Sequence, residues 1–312
     1  FGPEKIIEVY NPKVGMRGIL VIDSLALGPG KGGIRMTPTV SKEEVFRLAR
    51  TMTWKNSLAG LPFGGAKSGI IADSREFNLK KKKEIIEAFA EALKVVSPSQ
   101  YVAAPDINTG EKEMEWYYKK NGSRKSVTGK PKKFGGLPHE LGSTGFGVYH
   151  ATLVASKFAG LDISKSSVAI EGFGNVGWFV AKYLSNVTKI VAISDSKGVI
   201  YNKNGLNFKK LAEVKKKQGT VTAYKDGEVA PDNEILDVKA DILVTAAVPD
   251  LIKEGDVNRL KFKMIIEGSN IAMTPEVETL VYNNGILVIP DFVANAGGVM
   301  SSYVEYIGGN EK

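Results

Sequence analysis

The sequence predicts an α/β protein of two domains, an N-terminal one with a mixed sheet and a C-terminal one with a mainly parallel sheet. Three observations carry this. The chain has 312 residues, enough for two cores. Short apolar strands alternate with amphipathic helical stretches through the second half. Between them stands Gly172-Phe-Gly-Asn-Val-Gly177, with a strand over Val168–Ile170 before it and a helical pattern after it.

That glycine stretch is the most informative part of the chain. Gly172 suits a tight turn, Gly174 lets backbone approach a ligand, and Gly177 lets a helix pack closely on a strand. The helix then presents free N–H groups at its positive end. A second strand, Lys189–Asp195, ends in a carboxylate 23 residues after Gly172 and is followed by Ser196. Strand, glycine turn, helix, strand and acid together predict a Rossmann-type domain. Gly172, Phe173, Gly174, Asn175, Val176 and Gly177 would hold the pyrophosphate of a dinucleotide, and Asp195 would accept from a ribose diol.

Composition narrows the chemistry. Hydrophobic residues make up 43% and charged residues 24%, which fits a globular protein. No apolar run reaches membrane-spanning length and no signal peptide is evident, so no membrane partner is expected. The chain contains no cysteine, which excludes disulfides, cysteine nucleophiles and thiolate metal sites and fits a cytoplasmic location. Its two histidines, His139 and His150, leave little for a metal, so none is expected. His139 is read as a local hydrogen-bonding group and His150 as structural. The net charge of +8 is partly clustered, as in Lys80–Lys83 and Lys215–Lys217. Such runs read as solvated helix faces rather than a nucleic-acid site, and the positive charge would draw in an anionic substrate and cofactor.

In chain order, Ile6–Tyr10 and Arg17–Ser24 read as strands joined by a turn over Asn11–Gly15. Leu27–Met36 is too glycine-rich for a regular element, and approach of backbone to a ligand would explain it. Ser41 and Glu44 form a capping-box pattern for a helix to about Ala59, with Lys55 near its end. Lys67 follows in a second glycine-lined setting. If Lys31, Lys55 and Lys67 converge, each disfavours protonation of the others, and burial acts in the same direction. On spacing alone, three ordinary surface lysines fit as well. Leu79–Val96 is a helix. Tyr101–Pro105 is a strand, and Asp106 just beyond it suits either chemistry or a cap for the next helix, Glu111–Lys120. A loop over Val127–Leu141 leads to the helix opened by Ser143-Thr144, with the Thr144 hydroxyl facing the expected ligand cleft. Beyond Asp195 come a small strand over 198–202, a basic helix Phe208–Gln218, and strands within Ala240–Ala247, Lys263–Asn270 and Gly285–Asp291. A helix over Thr274–Asn283 joins the last two. A final helix follows Asn295-Ala-Gly-Gly298.

At this point the chain resembles the glutamate, leucine, phenylalanine and valine dehydrogenases. The blocks that carry the resemblance are Gly28–Arg35, Met52–Lys55, Leu61–Lys67, Pro105-Asp106, Ser143–Gly147, Gly172–Gly177, Glu267–Asn270 and Asn295–Gly298, in the family's order and across nearly the whole chain. The resemblance implies reversible oxidative deamination of an L-amino acid to a 2-oxo acid and ammonia, with NAD or NADP as cofactor. In it Lys67 activates water and Asp106 shuttles protons. Lys31, Gly32, Lys55, Asn295, Gly298, Val299 and Ser302 bind substrate, with Lys31 on a distal carboxylate and Lys55 on the α-carboxylate. Thr144, Ala246, Ala247, Asn270 and Asn295 join the glycine turn, Asp195 and Ser196 around the cofactor.

Leucine and phenylalanine dehydrogenases carry an apolar residue where this chain has Lys31. An unpaired lysine beside an apolar side chain is unfavourable, which points to glutamate. The chain's opening, Ile19–Pro29, is similar to the branched-chain enzymes, which keeps an apolar amino acid as the other substrate class. A catalytically weak sensor on a shortened fold is a third reading, opposed by the intact lysines and Asp106. Ser68 stands where a glycine is common, and Ile271 follows Asn270 where a proline-containing turn is more usual. The resemblance assigns residues 1–140 to a substrate-binding, catalytic and oligomerisation domain, completed by a helix over 295–312, and 141–294 to the dinucleotide. The chain lacks much of the usual N-terminal helical region and the C-terminal helices, so a homo-oligomer smaller than the usual hexamer is expected.

Overall fold

The computed structural model describes residues 2–138 and 141–310; His139 lies outside the described residues. The chain divides into two compact units, residues 1–141 with 299–312, and residues 142–298.

The first unit is built on a five-stranded sheet. Its strands are β1 (Lys5–Asn11), β2 (Met16–Ser24), β3 (Gly30–Thr37), β4 (Gly64–Ile71) and β5 (Tyr101–Pro105), in the order β1-β2-β4-β3-β5. β1 pairs antiparallel with β2 and β2 with β4, whereas β3 runs parallel to both β4 and β5. The sheet is therefore mixed, as the sequence implies. Helix α1 (Lys42–Leu58) separates β3 from β4; α2 (Leu79–Ala92) separates β4 from β5; α3 (Glu111–Asn121) follows β5. One core holds Ile85, Ile86 and Phe89 of α2 and Met114 and Tyr117 of α3 against Leu20, Ile22, Ile34 and Tyr101. Val45 and Ala49 of α1 join Ile19 and Val21 in a smaller cluster. Truncating a wholly buried ring such as Phe89 to alanine costs about 3–5 kcal/mol.

Three sequence expectations are corrected here. The stretch 27–36 contains a regular element, the interior strand β3. Its glycines answer to neighbouring backbone: a Cβ at Gly32 would lie 1.6 Å from the Ala66 carbonyl oxygen on β4. The capping box is half formed. Ser41 accepts from the Glu44 N–H at 3.2 Å, but the Glu44 carboxylate turns to Arg35 at 2.5 Å, because a guanidinium at 14% side-chain exposure needs a counter-charge. The helix expected to Val96 stops at Ala92.

The second unit carries seven strands: β6 (Ser167–Glu171), β7 (Lys189–Asp195), β8 (Gly198–Tyr201), β9 (Glu228–Ala230), β10 (Ile242–Thr245), β11 (Met264–Glu267) and β12 (Leu287–Ile289). Their order is β12-β11-β10-β6-β7-β8-β9. The five from β12 to β7 are parallel, and β8 and β9 extend the sheet antiparallel. The helices are α4 (Ser143–Phe158), α5 (Asn175–Leu184), α6 (Phe208–Gln218), α7 (Pro275–Asn283) and the short α8 (Asp291–Ala294). Strands buried on both faces read as near-continuous apolar runs, and here Val168, Ile170, Ile242, Val244 and Ile266 face one core while Ala169, Leu243 and Ile265 face another.

The last helix, α9 (Gly297–Tyr306), spans the boundary between the units in sequence. Residues 295–298, placed by the sequence reading with the C-terminal helix of the first domain, belong to the second unit. The reason is local: a Cβ at Gly297 would come within 2.2 Å of the Ser143 carbonyl oxygen, so this backbone lies directly on the start of α4.

Candidate functional site

In the first unit the sheet register brings the charged residues together. β3 and β5 pair with Ile34 opposite Pro105, so the residue after β5 emerges beside Arg35. That residue is Asp106. Its backbone N–H donates to Thr109 Oγ1 at 2.9 Å, and that hydroxyl donates to the Ile34 carbonyl at 2.7 Å. The turn is thereby fixed to β3, and Asp106 does not cap α3, whose N-cap is Gly110. The Asp106 carboxylate instead meets two cations, Lys67 Nζ at 3.0 Å and Arg35 Nε at 2.8 Å. Burial alone would raise its pKa; the charges and hydrogen bonds of Lys67 and Arg35 outweigh that and hold it down at about 2.

Lys31 sits on β3 at 1% exposure and donates to the Ala103 carbonyl at 3.0 Å. Desolvation lowers its pKa to about 7. The charge of Glu305 opposes that fall, while Lys130 and Lys67 add to it. Of the three lysines noted in the sequence, Lys31 and Lys67 therefore feel each other. Lys55 is buried as well, at 6% exposure near the end of α1. Gly32 has the packing role already described, and its carbonyl accepts from the buried Tyr101 hydroxyl at 3.1 Å. Ser68, in place of a glycine, shares a 2.9 Å hydrogen bond with the same hydroxyl. On α9, Val299 packs with Tyr303 and Tyr306 against Leu61 and Phe63, and Ser302 is half-buried.

Sequence reading gave no role to Arg35, Lys130 or Glu305. Glu305 accepts from the N–H groups of Gly129 and Leu137, both at 3.0 Å, and from Lys130 Nζ at 2.6 Å. Arg35 lies two and four positions from Gly33 and Lys31 on a strand, hence on the same face. That signal was legible only once the glycine-rich stretch was known to be a strand.

In the second unit the glycine turn has the form that a pyrophosphate requires. Gly172 has φ +90, in the left-handed region that glycine favours. Its N–H donates to Ser194 Oγ at 3.1 Å. A Cβ at Gly177 would lie 2.0 Å from the Gly172 carbonyl oxygen, so the first turn of α5 lies against the end of β6. A Cβ at Gly174, by contrast, would meet nothing within 4 Å, which leaves open space at the N-terminus of α5. Asn175 is exposed and Val176 packs partly on the core. Phe173 is buried in the core at 5% exposure, which leaves its backbone to face a ligand.

The loop after β10 is held by a carboxylate. Glu171 Oε2 accepts from the N–H groups of Ala246 and Ala247, both at 2.9 Å. Burial raises the Glu171 pKa, and those amides oppose the rise. Asn295 Nδ2 donates to the Gly268 carbonyl at 3.2 Å and to Asn270 Oδ1 at 2.9 Å, while Asn295 Oδ1 is buried without a protein partner. An orphaned buried acceptor fits a ligand that brings an N–H donor. Thr144 lies beside Gly298, whose Cβ would stand 2.7 Å from the Thr144 hydroxyl. These features suit a nicotinamide dinucleotide.

Asp195 departs from expectation. Its two oxygens already accept from four protein donors: Lys197 N at 2.9 Å, Thr220 Oγ1 at 3.2 Å, Lys215 Nζ at 2.6 Å and Val221 N at 2.8 Å. A ribose diol would have to displace some of them. Ser196 beside it is exposed. Among the described residues no group of three His, Cys, Asp or Glu side chains could hold a metal ion, and no helix is long and apolar enough to cross a membrane.

With this geometry established, comparison with known proteins is specific. Residues 135–312 match the family described as glutamate/leucine/phenylalanine/valine dehydrogenase, and residues 3–122 match the family's dimerisation domain. The glutamate dehydrogenase of Thermotoga maritima is 40% identical over 299 residues, covering 93% of this chain and 72% of the relative. The NADP-specific glutamate dehydrogenase of Saccharolobus shibatae is 39% identical, covering 97% and 75%. Among solved structures, the hetero-hexameric glutamate dehydrogenase of Thermus thermophilus, in a leucine-bound form, superposes with a TM-score of 0.86 at 27% identity, covering 98% of this chain and 76% of that one.

Proposed function

The chain belongs to the glutamate/leucine/phenylalanine/valine dehydrogenase family, and from that membership we infer that it catalyses the reversible NAD(P)-dependent oxidative deamination of L-glutamate to 2-oxoglutarate and ammonia. It is an NAD(P)-dependent amino-acid dehydrogenase. The observation that carries the substrate choice is Lys31, a buried cation that no carboxylate pairs with directly among the described residues. A substrate with a distal carboxylate completes that pairing; an isobutyl group leaves the ammonium desolvated and unpaired.

The residue roles are those that the family resemblance implies, and the geometry of each unit supports them. In the first, Lys31 takes the side-chain carboxylate and Lys55 the α-carboxylate, with Val299 and Ser302 of α9 completing substrate recognition. Lys67 directs water at the iminium carbon formed when hydride leaves the substrate. Asp106, 3.0 Å from Lys67, carries protons to and from the departing nitrogen. Arg35 holds Asp106 as a carboxylate. In the second unit, the turn 172–177 and the N-terminus of α5 hold the pyrophosphate. The amides ordered by Glu171, with Asn270, Asn295 and Thr144, hold the nicotinamide end, and Asn295 and Gly298 also face substrate. The cofactor supplies hydride acceptance, and the protein supplies orientation and proton handling. A homo-oligomer completes the reading, supported by the match to a dimerisation domain.

The test is an absorbance assay for reduced nicotinamide with NAD and with NADP on glutamate, leucine, valine and phenylalanine. Glutamate turns over fastest. Faster turnover of leucine overturns the role of Lys31, and no turnover with any pair leaves a binding protein in place of an enzyme.

A further inference from the structure

We propose that Asp291 is a positioning residue for the nicotinamide end of the cofactor: braced by Glu267, it closes a hydrogen-bonded ring that fixes which amide atom of Asn295 faces the ligand. This rests on the assignment of Asn270 and Asn295 to the nicotinamide end.

Every link of the ring lies in the second unit. Asp291 opens α8 and is buried at 4% exposure. Its Oδ2 accepts from the Ile271 N–H at 2.9 Å. Its carbonyl accepts from the Asn295 N–H, one helical turn on, also at 2.9 Å. Asn270, the neighbour of Ile271, accepts at Oδ1 from Asn295 Nδ2 at 2.9 Å, which closes the ring. Glu267, buried at the end of β11, braces the corner: its Oε2 accepts from the Asp291 N–H at 3.1 Å. The loop that carries Asn270 has anchors of its own. Ser269 donates to Thr245 twice, N–H to carbonyl at 2.9 Å and Oγ to Oγ1 at 2.8 Å, and the Asp250 N–H donates to the Ile271 carbonyl at 2.8 Å. The Asp291 carboxylate is thus not needed merely to keep this loop on the sheet.

Its effect is on orientation. A side-chain amide presents either its oxygen or its NH2 group, depending on a turn about its last bond. In Asn295 the Nδ2 group is committed to two acceptors, Asn270 Oδ1 and the Gly268 carbonyl at 3.2 Å. Oδ1 is left buried without a protein partner, ready to accept from the carboxamide N–H of a nicotinamide. The weak point of the ring is Ile271, whose φ of +53 a β-branched residue holds only under constraint. The charge-assisted bond from its N–H to Asp291 supplies that constraint. Without the carboxylate the Asn270–Ile271 peptide relaxes, Asn270 Oδ1 leaves Asn295, and the Asn295 amide can turn its NH2 group to the ligand. The nicotinamide then loses its acceptor. The turn 172–177 lies outside the ring and keeps its hold on the pyrophosphate.

The experiment titrates two ligands calorimetrically, NADH and ADP-ribose, which lacks the nicotinamide. NADPH and 2′-phospho-ADP-ribose replace them where the enzyme prefers NADP. It compares wild type with Asp291→Ala, Asp291→Asn and Asn295→Ala. In Asp291→Ala the Kd for the reduced cofactor rises about tenfold, the worth of one hydrogen bond, and the Kd for ADP-ribose keeps its wild-type value. Asp291→Asn retains an oxygen for the Ile271 N–H and restores cofactor affinity. Equal losses for both ligands in Asp291→Ala, no loss for either, or an equally large loss in Asp291→Asn overturn the proposal in favour of a purely structural anchor. If Asp291→Ala does not fold, Glu267→Leu decides. That change removes a buried, unpartnered oxygen along with the acceptor of the Asp291 N–H, so its costs are partly offset. The same selective loss is expected there, and an unchanged ratio of the two Kd values overturns the proposal. Asn295→Ala separates the underlying assignment. If it leaves the ratio unchanged, Asn295 does not hold the nicotinamide, and the proposal falls with that reading. A selective loss in Asn295→Ala with none in Asp291→Ala removes the proposal alone.

Discussion

Lys67 Nζ and Asp106 Oδ1 stand 3.0 Å apart although Lys67 lies on β4, Asp106 just beyond β5, and 39 positions separate them in the chain. Arg35 approaches the other oxygen of the same carboxylate at 2.8 Å. The result is a carboxylate that stays ionised in a buried setting, paired with the amine of Lys67.

Replacing Asp106 with asparagine keeps the shape and removes the proton carrier. The expected loss is about 10²–10⁴-fold in kcat, with cofactor affinity, read by fluorescence titration, unchanged. Equal losses in both would remove Asp106 from the chemistry.

Asp106 is also a stability group with a defined sign. Its folded pKa of about 2 lies below the unfolded value of about 3.9, so its contribution is complete above about pH 4 and is lost as pH falls through about 2. Replacing Arg35 with methionine removes one of the two cations and raises that folded pKa. The acid unfolding midpoint of Arg35→Met should therefore move to higher pH, as followed by circular dichroism.

Lys31 has the same sign in a higher pH window, but there it is the charged form that the folded state disfavours. Its folded pKa, about 7, lies below the unfolded value of about 10.4, so between those limits the unfolded chain binds more protons. The contribution of Lys31 to stability rises with pH across that window. Lys31→Met removes a buried charge, and such replacements are neutral to stabilising by about 1–4 kcal/mol. The melting temperature should rise, most at pH 6 to 7 and least near pH 10, while preference for glutamate is lost.

Cofactor choice can be moved at Lys215. Its ammonium is 2.6 Å from Asp195 and closes one oxygen to a ribose diol, while its charge suits a 2′-phosphate. In Lys215→Ala the ratio of kcat/KM for NADP to that for NAD should fall by about tenfold, equivalent to about 1.4 kcal/mol. An unchanged ratio would show that Lys215 does not face the nucleotide.

Ile271 has φ +53, an outlier for a β-branched residue, next to Asn270. Its N–H is held by Asp291 Oδ2 at 2.9 Å and its carbonyl by the Asp250 N–H at 2.8 Å. Ile271→Gly relieves about 1–2 kcal/mol of left-handed strain, part of which is offset by the entropy of glycine in the unfolded chain. A net gain in thermal stability is expected; a loss would mean that the isoleucine side chain packs better than its backbone suffers.

What the sequence determined by itself was local. The turn at Gly172 and Gly177, the cap at Ser41, the basic helix 208–218 and the apolar strands of the second unit are each specified by residues close together in the chain, and the order of the motif blocks was enough to point to a family. Tertiary structure decided whatever depends on register. The stretch around Lys31 became a strand because Gly32 admits the Ala66 carbonyl, a close approach that neighbours in sequence do not reveal. Arg35 found Asp106 because β3 lies beside β5. Glu305 found Lys130 across 175 positions, and Asp195 was claimed by donors from the segment 197–221. Charges act over a few ångströms of space whatever their separation along the chain, so the residue types foretold the chemistry, and only the fold could say which carboxylate stands by which amine.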